Sequence, residues 1–183
     1  MPRIEPHQSW LPLEARAGEE LDPRRRALLM EVRNHMEFEI KGQLDDLMGT
    51  LTDSPVYHFW NENPSVLEGR EQVRAFYESM MAAGANQFEV VAARIVVDDH
   101  AVITEGQVKQ VYTGAMANAM GVSDLAGVAV EPDELILTTT QLITFWPAAD
   151  DGRLIGEDIY FGHSPFLNAA RIDRSDLPDY YQL

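Results

Sequence analysis

From Asp22 onward, apolar side chains recur first about every 3.6 residues and then, past Gln87, every second residue. The first pattern predicts a helix opening at Asp22-Pro23, where Asp22 can cap the first free amides and Pro23 suits the first helical position. Leu28, Val32, His35, Met36 and Ile40 form its buried stripe, and Gly42 ends it. A shorter helix follows, with Leu44, Leu47, Met48 and Leu51 inward, and then a short aromatic strand over residues 55–60 and a turn at 61–64. A third helix covers about 70–83, with Val73, Phe76, Tyr77 and Met80 on one face and Gly84 behind it. The two-residue pattern predicts two hairpins: 87–97 with 101–112, and 135–146 with 153–161. Three helices before an antiparallel sheet define an α+β domain over residues 22–166. Residues 1–21, interrupted by Pro2, Pro6, Pro12 and Gly18, read as an extended arm that docks through Trp10 and Leu11. Residues 167–183 read as a tail, and the long 113–132 connection as a lid.

Composition narrows the function classes. The chain has 183 residues, a formal charge of −16 and no cysteine. Such an acidic surface repels nucleic-acid backbones and anionic membranes. Without cysteine there are no disulfides, thiolate nucleophiles or cysteine-held metal centres. Phosphate-loop, G-x-S-x-G and H-E-x-x-H patterns are absent. No apolar leader or spanning run is visible, so the expectation is a cytoplasmic domain handling a small molecule or a protein partner.

The informative residues are polar groups where the period predicts burial. Gln141 shares a strand face with Leu137, Ile143 and Phe145, while Thr138, Thr140, Thr144 and Trp146 occupy the other, which suits solvent or a subunit contact. Glu157 lies between Ile155 and Ile159 on a face ending at Phe161, an expensive place for an unpaired carboxylate. His35 sits on the helical stripe, and His58 alternates with Val56 and Trp60. Either histidine can serve as a general base at neutral pH or as an ordinary core residue. No ligand spacing joins them into a metal site.

These residues lie in a frame that resembles the nuclear transport factor 2-like superfamily, which includes ketosteroid isomerase and SnoaL-type polyketide cyclases. The resemblance runs over about 23–165, through Leu44–Leu47, Asp53–His58, Leu67–Gly69, Val73–Tyr77 and the closing segments 144–146 and 151–161. It implies a cone-shaped fold with three helices packed on a curved sheet, an apolar pocket and no cofactor. It places His58 where the isomerases carry their base, His35 and Gln141 where they carry hydrogen-bond donors, and Glu157 or Asp158 near the acidic base of the cyclases, with face polarity favouring Glu157. All three isomerase identities differ here. The implied activity is proton abstraction next to a carbonyl of a hydrophobic polyketide, steroid or aromatic compound. Trp60, Phe76, Tyr77, Met80, Phe88, Phe145 and Phe161 would form the apolar wall. The resemblance also implies a homodimer, expected to pair through the threonine-rich face. A non-catalytic binding domain and an oxygenase accessory subunit are the alternatives.

Overall fold

A computed structural model describes residues 2–61 and 63–182. Met1 of the expected arm, Glu62 of the expected turn and Leu183 of the expected tail lie outside the described residues. The helices are α1 (Leu11–Glu19), α2 (Pro23–Lys41), α3 (Leu44–Gly49), α4 (Gly69–Ala82) and α5 (Gly114–Ala119). The strands are β1 (Leu51–Trp60), β2 (Ser65–Glu68), β3 (Glu89–Val97), β4 (Ala101–Thr113), β5 (Asp124–Leu125), β6 (Val128–Ala129), β7 (Leu135–Pro147), β8 (Leu154–Phe161) and β9 (Ala170–Ile172).

Helix α2 begins and ends on the expected chemistry. The Asp22 carboxylate accepts from the amides of Arg24 and Arg25, and Gly42 closes the helix in the left-handed conformation at φ 69°. The three arginines in its first turn, unfavourably placed for the helix dipole, are occupied instead by neighbouring loops. The Arg24 guanidinium donates to the carbonyls of Asp99, Ala149 and Asp150, at the tips of the β3–β4 and β7–β8 hairpins. Arg25 pairs with Asp99 at 2.8 Å, and Arg26 donates to the Glu20 carbonyl. At the other end of α2, the buried Asn86 amide donates to the carbonyls of Glu39 and Ile40.

The main sheet runs β2-β1-β8-β7-β4-β3, with β9 alongside β7. It is mixed and not wholly antiparallel, because β1 and β8 pair in parallel. The main core lies between α1, α2, α4 and one sheet face, around Leu13, Leu28, Val32, Leu47, Val73, Trp146 and Leu154. The supposed arm is therefore part of the body: α1 buries Leu13 and Ala17, and Trp10 packs beside them, although Leu11 is exposed. The Ser9 hydroxyl accepts from the Val90 amide on the edge strand β3.

A second apolar cluster joins the two chain ends, with Ile4, Val111, Leu137, Ile172, Leu177 and Tyr181 in contact. Residues 113–132 are also structured, through α5 and the β5–β6 hairpin. Ala117 and Val130 pack on Ile136, and the Arg171 side chain donates to carbonyls of Leu125, Val128 and Ala129. This segment contributes no lining residue to the cavity described below, so the expected lid is not formed.

Among the described residues, no helix is long and apolar enough to cross a membrane.

Candidate active site

A cavity of about 240 Å³ lies between α2, α4 and the facing sheet surface. Its walls are mainly apolar, with Met36 from α2, Phe76 and Met80 from α4, Phe88 ahead of β3, and Leu142, Ile159 and Phe161 from the sheet. Two carboxyl groups also open into it, Glu39 from α2 and Glu157 from β8. A larger cleft of about 650 Å³ lies where both chain ends meet α2 and α4. Its described lining holds no carboxyl group, and its His7 ring is stacked 3.9 Å from Tyr180 in joining those ends. The apolar, carboxyl-bearing cavity is the stronger candidate.

Glu157 is placed by a backbone irregularity. The β1–β8 register shifts between the Leu51–Leu154 and Val56–Gly156 pairs. Gly156 fits because a Cβ there would lie 1.7 Å from the Val56 carbonyl oxygen. The shift leaves Ile155 exposed and turns Glu157, Ile159 and Phe161 toward the cavity. Glu157 is 5% exposed and stands opposite Tyr57 on β1.

Behind this carboxylate is a closed polar cluster. The Tyr77 hydroxyl lies 3.0 Å from Glu157 Oε1, 3.0 Å from the Tyr57 hydroxyl and 3.0 Å from His35 Nε2. His35 Nε2 is also 3.2 Å from Glu157 Oε1 and 3.3 Å from the Tyr57 hydroxyl. The other ring nitrogen, Nδ1, meets Thr50 Oγ1 at 2.6 Å. Burial, reinforced by the Glu157 charge, pushes both phenols well above their ordinary pKa, so they stay protonated at neutral pH.

Glu39 differs from Glu157. It is 9% exposed and, among the described residues, its carboxyl group has no hydrogen-bond or ion-pair partner. Burial first, and the Glu157 charge second, push its pKa well above the ordinary carboxylate value. One carboxyl thus stands beside the Tyr77 hydroxyl and the His35 ring, while the other favours its neutral acid form.

The expected site residues divide sharply. Glu157, Phe76, Tyr77, Met80, Phe88 and Phe161 line the cavity, and His35 supports it from behind. His58 and Trp60 do not, because β1 turns Tyr57 and Phe59 inward and their neighbours outward. His58 instead pairs with Asp158 at 2.6 Å on the outer face and stacks against Trp60. Gln141 and Phe145 are also outside: Thr144 and Trp146 line the cavity, and Gln141 is exposed beside Gly162. The threonine-rich face therefore points inward, with Thr138, Thr140 and Thr144 all buried, and cannot be a subunit contact.

Sequence reasoning missed Glu39, Tyr57 and Thr50. Glu39 had a readable signal, since it lies one helical turn past His35 on the same stripe. Among the described residues, no cluster of three or more His, Asp or Glu is arranged to hold a metal ion.

Helices covering one face of a curved mixed sheet, with a small polar-floored cavity between them, define the nuclear transport factor 2-like class. A family model for the SnoaL-like domain matches residues 32–136, more than half of the chain, and the protein belongs to that family. No curated protein matches the sequence. Among solved structures, a candidate SnoaL-like polyketide cyclase from Shewanella putrefaciens CN-32 superposes with a TM-score of 0.61 at 12% identity, over 82% of this chain and 87% of its own. A second candidate cyclase, from Jannaschia sp. CCS1, gives 0.55 at 18% identity over 78% and 90%. An LEH-like epoxide hydrolase from M. tuberculosis gives 0.53 at 19% identity over 79% and 89%.

Proposed function

We propose that the protein is a cofactor-independent isomerase or cyclase that removes a proton next to the carbonyl of a compact, neutral, hydrophobic substrate. The carrying observation is the pair of unlike carboxyl groups, Glu157 and Glu39, in one apolar cavity. Glu157 is the base, since Tyr77 and His35 lie within hydrogen-bond reach of its Oε1. Glu39 is the acid: an unpartnered carboxyl in its neutral form can donate to the substrate oxygen as enolate charge develops. His58 and Gln141 have no part in this chemistry because they lie on the opposite sheet face.

Size narrows the substrate. Since a cavity of about 150 Å³ encloses benzene, one of 240 Å³ accommodates roughly ten non-hydrogen atoms. A steroid or multi-ring polyketide would extend well beyond this volume, so a monocyclic ketone or enone fits better. The cavity alone would equally serve a binding protein, but that role gives no use to an acid and a base facing the same space. The accessory-subunit alternative has even less use for them.

The outer face would carry self-association. Trp60 and Tyr160 are 42% and 44% exposed there, with their rings stacked 6.0 Å apart.

The test is deuterium exchange at the α-carbon of a panel of small cyclic ketones and enones in heavy water, read by mass spectrometry. Exchange should be lost in Glu157→Gln, reduced in Glu39→Gln and unchanged in His58→Gln and Gln141→Ala. Wild-type exchange in Glu157→Gln would refute the assignment of the base.

A further inference from the structure

His35 is wholly buried and does not line the cavity, yet its ring is oriented with unusual definition. The Thr50 hydroxyl has one proton, which it donates to the Leu47 carbonyl at 2.7 Å. Its oxygen must therefore accept at the 2.6 Å contact with His35, so the ring carries a proton on Nδ1. In the neutral ring, the Nε2 lone pair then faces Tyr77, Glu157 and Tyr57 at 3.0, 3.2 and 3.3 Å.

Resting on the reading of Glu157 as the base, we infer that His35 is its proton store: a proton taken by Glu157 crosses to His35 Nε2, which Thr50 keeps free to receive it. Before the reaction, Tyr77 donates to Glu157 Oε1 and Tyr57 donates to His35 Nε2. The substrate C–H bond breaks, its proton goes to the Glu157 carboxylate, and its electron pair moves onto the carbonyl oxygen. The carboxyl proton then crosses the 3.2 Å gap to Nε2. The Tyr57 hydroxyl turns from Nε2 to the Tyr77 oxygen, 3.0 Å away. Glu157 is again a carboxylate, and the imidazolium balances the charge of the enolate. Reversing the path delivers the proton to the carbon that finally accepts it.

The Glu157 carboxylate is the charge that faces this transient cation directly. Glu157 faces the ring from β8, Tyr57 from β1 and Tyr77 from α4. Glu31 and Glu39 lie one turn before and after it on α2, and the Trp146 ring meets it edge-on at 5.5 Å. Among these, Glu31 interacts electrostatically with His35 although burial dominates its own titration. His35 and Thr50 are thus positioning residues: both act through Glu157.

The experiment reads the ring nitrogens of His35 in ¹⁵N-labelled protein across a pH series, assigned by loss of the signals in His35→Gln. Nδ1 should stay protonated throughout, with only Nε2 titrating. Glu157→Gln should lower the pH of Nε2 protonation by at least about one unit, a tenfold loss of proton affinity. Thr50→Val should move the neutral ring's proton to Nε2, and Thr50→Ser should restore Nδ1–H. A wild-type neutral ring protonated on Nε2 overturns the inference, as does an Nε2 titration unaffected by Glu157→Gln. If Thr50→Val does not fold, the wild-type, Thr50→Ser and Glu157→Gln spectra still decide. Expected spectra together with no deuterium exchange would sink the functional reading, and the store with it, while leaving the Thr50–His35–Glu157 tautomer arrangement standing.

Discussion

Replacing Glu39 with glutamine keeps the size and polarity of the side chain but removes its ionisation, so the variant isolates the cost of a buried carboxylate. Burial and the neighbouring Glu157 raise the folded-state pKa well above 4.5, while the unfolded chain titrates near that value. The native protein therefore binds more protons than the unfolded one once pH rises past about 4.5. Its stability falls from there until the folded-state pKa is passed. Glutamine has no such dependence. Each pH unit within that window should favour Glu39→Gln over wild type by about 1.4 kcal/mol. The gap therefore widens steadily with pH until Glu39 ionises in the folded state. Urea unfolding of both proteins at half-unit steps provides the measurement, with equal denaturant slopes as the check that only stability changed. Parallel stability curves from pH 5 to 7 would refute the argument, because they would mean that Glu39 ionises as freely in the fold as outside it.

Four other outcomes follow from the geometry. Gly156→Ala should destabilise by more than about 3 kcal/mol, or prevent folding, since its Cβ would overlap the Val56 carbonyl; thermal melting and soluble yield report it. Arg24→Ala, which releases three loop carbonyls, should lower stability by about 1–2 kcal/mol in denaturant titrations. Tyr77→Phe removes the hydroxyl that donates to the buried Glu157 carboxylate and should lower stability by about 1–3 kcal/mol while slowing α-carbon exchange; a melting curve beside exchange rates reports both effects. Trp60→Ser with Tyr160→Ser should convert a species of twice the 20.6 kDa chain mass into a single chain in sedimentation, and an unchanged mass would exclude that face as the contact.

Much of the fold could be read from the chain because local chemistry and periodicity agree over long stretches. Asp22, Pro23 and Gly42 bracket α2, and the change of period near Gln87 marks the start of the hairpin region. The faces of β7 were harder to read, for a physical reason. Leu135 and Leu137 make the outer face look like the core because both ends of the chain pack on them. The inner face looks polar because Thr140 and Thr144 are buried on it and Thr144 lines the cavity. A covered outside and a hydroxyl-bearing inside invert the usual contrast, and that inversion put Gln141 and Phe145 on the wrong side. On β1, aromatic residues populate both faces, so parity alone could not separate His58 from Tyr57. Glu157 was legible because its apolar neighbours Ile159 and Phe161 share its inward face, while the irregularity that exposes Ile155 depends on a close approach between β1 and β8. The Thr50–His35–Glu157 alignment was not legible, since its members come from separate elements and meet only through tertiary packing.

The loop bonds made by Arg24 have a mechanical meaning. Helix α2 is anchored at its start by a guanidinium holding two hairpin tips and near its end by the Asn86 amide holding its last carbonyls. Between these supports, about 22 Å separate Arg24 from Glu39 along the helix axis. A beam restrained at both ends resists the tilting that one loose end permits, and this beam carries both His35 and Glu39. A half-buried arginine at the far end of the helix therefore helps set the spacing of the two carboxyl groups, and with it how tightly the cavity can close on a small molecule.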